Sequence, residues 1–312
     1  MGTNQPGRIV AIALFCVVAL TWGTTWLAMK IAVESVPPLF ATGIRFMCAS
    51  PLLLLLAWYK KAPLLFPKGN RFFQLMVAVF YFAIPFTLMI YGESYTPASL
   101  AAIIFAMMPV AVLGASLLLL NEKTSAQQML GLCFSLAALC GILWLETQHS
   151  GKSTFRGISA LVSAVIIHAL MYVQCKKRGN RVSVLTYNAL PCLAAGVALT
   201  LGGWWIESPQ PAAFTQSAIL AILWLGVVAG VGGILCYFAL QQVARPFQAS
   251  LVFLVFPVIA IALDNVVKGT SISPASLLLI FPLLVGILLT LKPQRAARKQ
   301  SSISETSMTM QE

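Results

Sequence analysis

Residues 105–110 read FAMMPV, and residues 253–258 read FLVFPV. The phenylalanines, prolines and valines coincide at a shift of 148 positions, and Ala101 and Ser125 then fall on Ala249 and Ser273. A shift of 146 aligns the openings of the two halves. Trp22 falls on His168, Trp26 on Tyr172 and Lys30 on Lys176. Each trio is spaced i, i+4, i+8, which is one stripe of an α-helix. The chain therefore reads as an internal repeat, and each copy opens with a helix carrying two rings and a terminal lysine along one face.

The surroundings of these stretches set the class. The chain has 312 residues, of which 59% are hydrophobic and 9% charged. Mean hydropathy is +0.89. A soluble domain carries about a quarter charged residues, so the solvent this composition matches is lipid. Ten apolar runs of spanning length lie near 9–29, 38–58, 72–92, 98–120, 126–146, 157–175, 182–206, 217–241, 246–267 and 272–291. They are continuous and do not alternate, which selects helices over a membrane barrel.

Five spans per half is an odd number, so the second half enters the bilayer from the opposite face. The expected fold is an all-α integral membrane protein: ten transmembrane helices in two inverted five-helix repeats. The first repeat is 1–147 and the second 148–292, followed by a basic and then Ser/Thr-rich cytoplasmic tail, 293–312. Such an architecture places a cavity near the midplane, between the repeats.

The net charge of +12 does not point to nucleic acid. The basic residues sit in the breaks between apolar runs, where they set topology. With the N-terminus inside, Lys30, Lys152, Arg156 and Lys268 fall outside, and every other Lys and Arg except Arg45 falls inside. Both termini are expected in the cytoplasm. The apolar stretch after Arg8 has spanning length and no small-residue cleavage site, so it reads as a retained first helix. The seven cysteines, Cys16, Cys48, Cys133, Cys140, Cys175, Cys192 and Cys236, have no paired metal spacing and read as small apolar packing residues.

A few residues do not belong in inert spans. LTWGTTWLAMK (20–30) holds Trp22 roughly 12 Å deeper than Lys30. Trp22 and Trp26 read as interfacial anchors or as the wall of a substrate path. Arg45 lies inside the second run. It reads as a binder of carboxylate or phosphate, or as a structural partner of helix ends or Glu34, or as a side chain snorkelling to the outer interface. His168 reads as a substrate or proton contact, or as a hydrogen-bonded core histidine.

Asp264 is the one acid well inside a run. Its i,i+4 partner Lys268 suggests a structural pair, with ion coupling as the other reading. Glu93, Glu122, Glu146 and Glu207 stand at run ends and read as boundary groups. Gly226 and Gly230 have GxxxG spacing, for close packing or flexing. Pro109 and Pro257, related by the repeat, each free a backbone carbonyl and read as cavity-lining kinks. Met107, Met108 and Phe256 read as packing.

The pattern resembles a family. WG near the start of the first helix, Lys30 at its end, Pro37-Pro38, Arg45-Phe46, YTPAS (95–99), Pro109 and Asn121-Glu122 look like the EamA-type pattern of the drug/metabolite transporter superfamily. ALQQVARPFQASLVFLVFP (239–257) continues it in the second half. The resemblance implies a ten-helix inverted-repeat carrier of the bacterial inner membrane that exports, or in some members imports, amino acids or other small metabolites. The chain departs from the pattern at Phe256, where an acid is frequent, at Thr270, where Gly-Glu is frequent, and at His168, where tryptophan is usual.

The function expected is a secondary transporter of a small metabolite working by alternating access, with export favoured. An importer or facilitator and a channel-like permease are the alternatives. A cavity is expected around Trp22, Trp26 and Arg45 from the first repeat and His168 and Tyr172 from the second, with Tyr91, Pro109, Tyr237 and Pro257 also contributing. No catalytic group, metal or organic cofactor is expected, and the chain lacks a GxxxxGK[ST] phosphate loop. The expected partners are a small-molecule substrate, the bilayer and at most a second copy of the chain, as monomer or homodimer, and the coupling ion is left open.

Overall fold

The computed structural model describes residues 5–120, 125–150, 152–178, 182–243, 252–269 and 273–291. The tail 293–312, Asn121-Glu122 and Thr270 lie outside the described residues, as do the side chains of Lys176 and Lys268. Among the described residues the structure is all-α. Eight helical segments are long and apolar enough to cross a bilayer: α1 (Ile9–Ala32), α2 (Pro38–Tyr59), α3 (Lys68–Glu93), α4 (Ala98–Leu119), α5 (Ala126–Leu145), α6 (Phe155–Cys175), α7 (Val184–Glu207) and α8 (Gln216–Tyr237). Two shorter apolar helices, α9 (Val252–Lys268) and α10 (Pro274–Leu291), follow. These ten segments correspond to the ten runs read in the sequence.

The packing follows a pseudo-two-fold pattern. The most extensive contacts are α2 with α7 and α5 with α10, each pairing a helix with its counterpart five places on. α1 packs on α8 and α9, while α6 packs on α3 and α4. α2 also touches α8, as α7 touches α3. Exchanging each helix for its counterpart maps these contacts onto one another, which is the arrangement the sequence repeat predicts.

Lipid offers little hydrophobic drive for helix association, so contacts depend on small residues that let backbones approach. At the α5–α10 contact, a Cβ on Gly131 would stand 2.6 Å from Gly286 O and 2.8 Å from Thr290 N. At α2–α7, a Cβ on Gly203 would stand 2.7 Å from Phe40 Cα. Helix ends are also tied across the repeat. The amides of Leu39 and Phe40, in the first turn of α2, donate to Glu207 Oε1 and Oε2 at 3.0 and 2.9 Å. This satisfies orphan N–H groups and sets a carboxylate at a helix N-terminus. Glu207 is thus a cap on another helix.

Two spans change register at matched places. α3 is π-helical over Ala78–Ala83 and α8 over Trp224–Gly233. The two segments begin at positions related by the same 146-residue shift that aligns the openings of the repeats. In α3 a cause is visible in the sequence. Pro85 has no N–H to give the carbonyl of Tyr81 four residues back. In α8 the glycines of WLGVVAGVGG leave the backbone free to take the wider turn. π-helical turns inside α-helices concentrate at functional sites.

Candidate functional site

Where α1, α2, α3, α6 and α8 converge, the structure holds a cavity of about 160 Å³. Trp22, Trp26, Arg45, His168 and Tyr172 line it, brought together from both halves of the chain. Tyr237 is not among its wall residues but packs tilted behind Trp22, with ring centroids 4.8 Å apart. Tyr91 sits near the far end of α3 against Tyr95, 5.0 Å between centroids, and away from the cavity. Pro109 and Pro257 are not in the wall either. They act one turn earlier, because neither can donate to the carbonyl four residues back, at Phe105 and Phe253 respectively. Both phenylalanines line the cavity.

The wall repeats its own geometry. Trp22 of α1 lies 5.9 Å from Phe253 of α9, and His168 of α6 lies 6.3 Å from Phe105 of α4. These pairs are counterparts under the sequence repeat. Trp26 closes the set against Phe105 at 4.9 Å and Phe256 at 6.1 Å. The Trp22 indole needs Gly233 beside it, because a Cβ there would stand 2.9 Å from Nε1. Phe256, expected as packing, is buried and also faces the cavity.

His168 is buried and its Nε2 lies 3.0 Å from the Tyr81 carbonyl. A carbonyl only accepts, so Nε2 carries the hydrogen and Nδ1 is left as the acceptor. The ring thus takes the bond that Pro85 cannot make, locks α6 to the π-helical stretch of α3, and still presents itself to the cavity. The core hydrogen bond read for this histidine is present, and the ring also borders the cavity. Tyr81 and Tyr172 continue the edge, with hydroxyls 3.3 Å apart.

Arg45 is 7% exposed. Its guanidinium lies 4.8 Å over the Phe86 ring and 5.9 Å over Phe46, and its Nη1 donates to Met29 Sδ at 3.8 Å. Those are soft partners for a full charge. Among the described residues the cavity wall contains no aspartate or glutamate, and Arg45 has no carboxylate partner, Glu34 included. The arrangement presents one guanidinium fork inside an aromatic cage. That chemistry holds a carboxylate or other planar anion through paired hydrogen bonds, with the rings taking an apolar body.

Several wall residues carry no mark in the sequence, among them Phe86, Tyr81, Phe82 and Asn188. For Phe105 and Phe253 a signal existed: each stands four residues before a repeat-related proline. Asp264, read as the partner of Lys268, is 1% exposed and accepts from Ser99 N at 2.9 Å and Ser99 Oγ at 2.7 Å. It holds the first turn of α4, as Glu207 holds that of α2. Among the described residues no group of His, Cys, Asp and Glu forms a metal cluster.

The comparisons agree with this architecture. The chain is 60% identical over 285 residues to Protein PagO of Salmonella typhimurium, covering 91% of this chain and 94% of that protein. It is 48% identical over 286 residues to an uncharacterized transporter of Buchnera aphidicola subsp. Schizaphis graminum, covering 92% and 95%. It is 28% identical over 267 residues to the uncharacterized inner membrane transporter YedA of Escherichia coli K12, covering 84% and 83%. A solved crystal structure superposes with a TM-score of 0.63 at 19% identity, over 89% of this chain and 95% of that one, which speaks to the fold alone. Residues 9–144 and 155–292 each match the EamA-like transporter family, and the chain belongs to that family of membrane transporters.

Proposed function

We propose that this transporter is a secondary carrier of the inner membrane that moves a small metabolite bearing a carboxylate or similar anionic group, by alternating access and in the export direction. The observation that carries the reading is Arg45, a buried guanidinium with no carboxylate partner among the described residues, set in an aromatic cavity between the two halves. Amino acids and related metabolites supply an anionic group for the fork and an apolar part for Trp22, Trp26 and the phenylalanines. The halves 1–147 and 148–292 rock about this site, with both termini cytoplasmic, as the distribution of Lys and Arg favours.

The test is substrate accumulation in cells with and without the protein, across labelled amino acids, other carboxylate metabolites and cations. Lower accumulation of one carboxylate class is the expected result. Higher accumulation reverses the direction to import. Movement of cations and not anions rejects Arg45 as the recognition group. Changing Trp22 and Trp26 to Leu is expected to leave the protein in the membrane and to weaken transport. Each aromatic contact contributes about 0.5–1.5 kcal/mol, roughly two- to tenfold in affinity. Unchanged transport by the inserted double variant would remove both rings from the site.

A further inference from the structure

Glu93, the last residue of α3, is completely buried. Among the described residues neither of its carboxyl oxygens has a hydrogen-bond partner. The other acids described at helix ends here are used: the half-buried Glu207 caps α2, and the buried Asp264 holds Ser99 at the start of α4. An ionised carboxylate shut away without a donor is strongly disfavoured, so such a group holds a proton or gains a cation.

Its surroundings choose between those two. Lys30, at the end of α1, donates its Nζ to the backbone carbonyl of Glu93 at 2.6 Å and to that of Thr96 at 2.9 Å. The ammonium occupies the carbonyls that a bound metal cation would need, and it satisfies the α3 C-terminus as a cation should. From α9 the facing charge is Asp264, and from α1 it is Lys30. Tyr91 and Tyr95 flank the residue along its own chain, and Arg156 of α6 faces Tyr91. α6 itself packs here through Gly157 and Leu161 against Gly92. The place is therefore a junction of α1, α3, α4, α6 and α9 with one acid that has nothing to do structurally.

We propose that Glu93 is the site at which the transporter binds and releases a proton, with Lys30 as its switchable partner. Bulk water delivers the proton to the carboxylate, giving a neutral acid that can stay buried while Lys30 holds the two carbonyls. Release returns the proton to water and leaves a carboxylate, and Lys30, already bonded to the same residue, swings to it. That swing removes the donor from Thr96 O and loosens the α1–α4 junction. The inference rests on the carrier reading above, since it supplies the coupling ion for that cycle.

The experiment follows the proton itself on the full-length protein in lipid bilayers. Infrared difference spectra across a pH titration report the carbonyl stretch of a buried carboxylic acid, which is distinct from carboxylate bands. The wild type is expected to show such a band that disappears as pH rises. Glu93→Gln is expected to abolish it, Glu93→Asp to move its frequency, and Asp264→Asn to keep it. Lys30→Met is expected to shift the titration by a unit or more towards alkaline pH, because the partner of the anion is gone. A band that survives in a folded Glu93→Gln variant overturns the proposal. So does a band that never titrates, which would make the proton a fixed structural one. The measurement needs no substrate, so failure to find a transported metabolite would count against the carrier reading and leave this result standing by itself.

Discussion

Replacing Arg45 with Met is expected to abolish transport of anionic substrates while leaving the protein as stable as before or more so. The two effects separate a ligand-binding arginine from a structural one. A buried charge with good protein partners holds its neighbours together, and its loss destabilises by about 3–5 kcal/mol. Arg45 has a thioether and two ring faces instead. Taking an uncompensated charge out of the interior, with an apolar side chain of similar length in its place, is neutral or stabilising. The binding side runs the other way. A hydrogen bond to a charged group is worth about 1.5–3 kcal/mol, so losing the fork costs on the order of 10- to 150-fold in affinity. Arg45→Lys keeps the charge but not the paired geometry and is expected to fall between. Melting in detergent and concentration-dependent uptake on the same preparations check both halves. A variant that melts well below wild type would make Arg45 a structural residue, and undiminished transport would remove it from the site.

What the sequence revealed and what it hid divide along a physical line. Spans, repeat and family were legible because bilayer thickness fixes run length, and because FAMMPV and FLVFPV keep the same spacing through both halves. Trp22, Trp26, Arg45, His168 and Tyr172 stood out because each is an anomaly in an apolar run, and the fold brings all of them to one cavity. Phe86 and Tyr81 did not stand out, since an aromatic residue in a hydrophobic run looks the same whether it faces lipid, core or substrate. Their direction depends on the π turns of Ala78–Ala83, a local choice that hydropathy does not encode. Glu93 was read as a boundary group for a similar reason. Span ends are located by composition, but whether an end meets water depends on what packs over it, and here Lys30 of α1 and Asp264 of α9 do. The partner of Asp264, Ser99, is 165 residues away in sequence, and nothing local announces it.

Gly226 gives the other large expected effect, because it sits where fold and site are the same contact. A Cβ at this position would stand 2.5 Å from the carbonyl oxygen of Arg45 and 3.1 Å from Cys48 Cβ. The first of these is backbone, and a carbonyl within a helix cannot turn aside as a side chain can. Gly226→Ala must therefore push α8 away from α2. Overpacking of this kind costs about 1–3 kcal/mol, and it acts at the residue that carries the guanidinium. The expected result is a lowered melting temperature together with strongly reduced transport. Gly232→Ala, six residues on in the same π-helical stretch, is the control, since its Cβ would meet nothing nearer than Val227 O at 3.9 Å. Both substitutions remove a glycine from the same segment, so any loss of backbone freedom is shared and the difference between them isolates the close approach. If both variants lose transport equally, the flexibility of the segment is what matters. If Gly226→Ala alone fails, α2 and α8 must touch at this point for Arg45 to stand where a substrate can reach it.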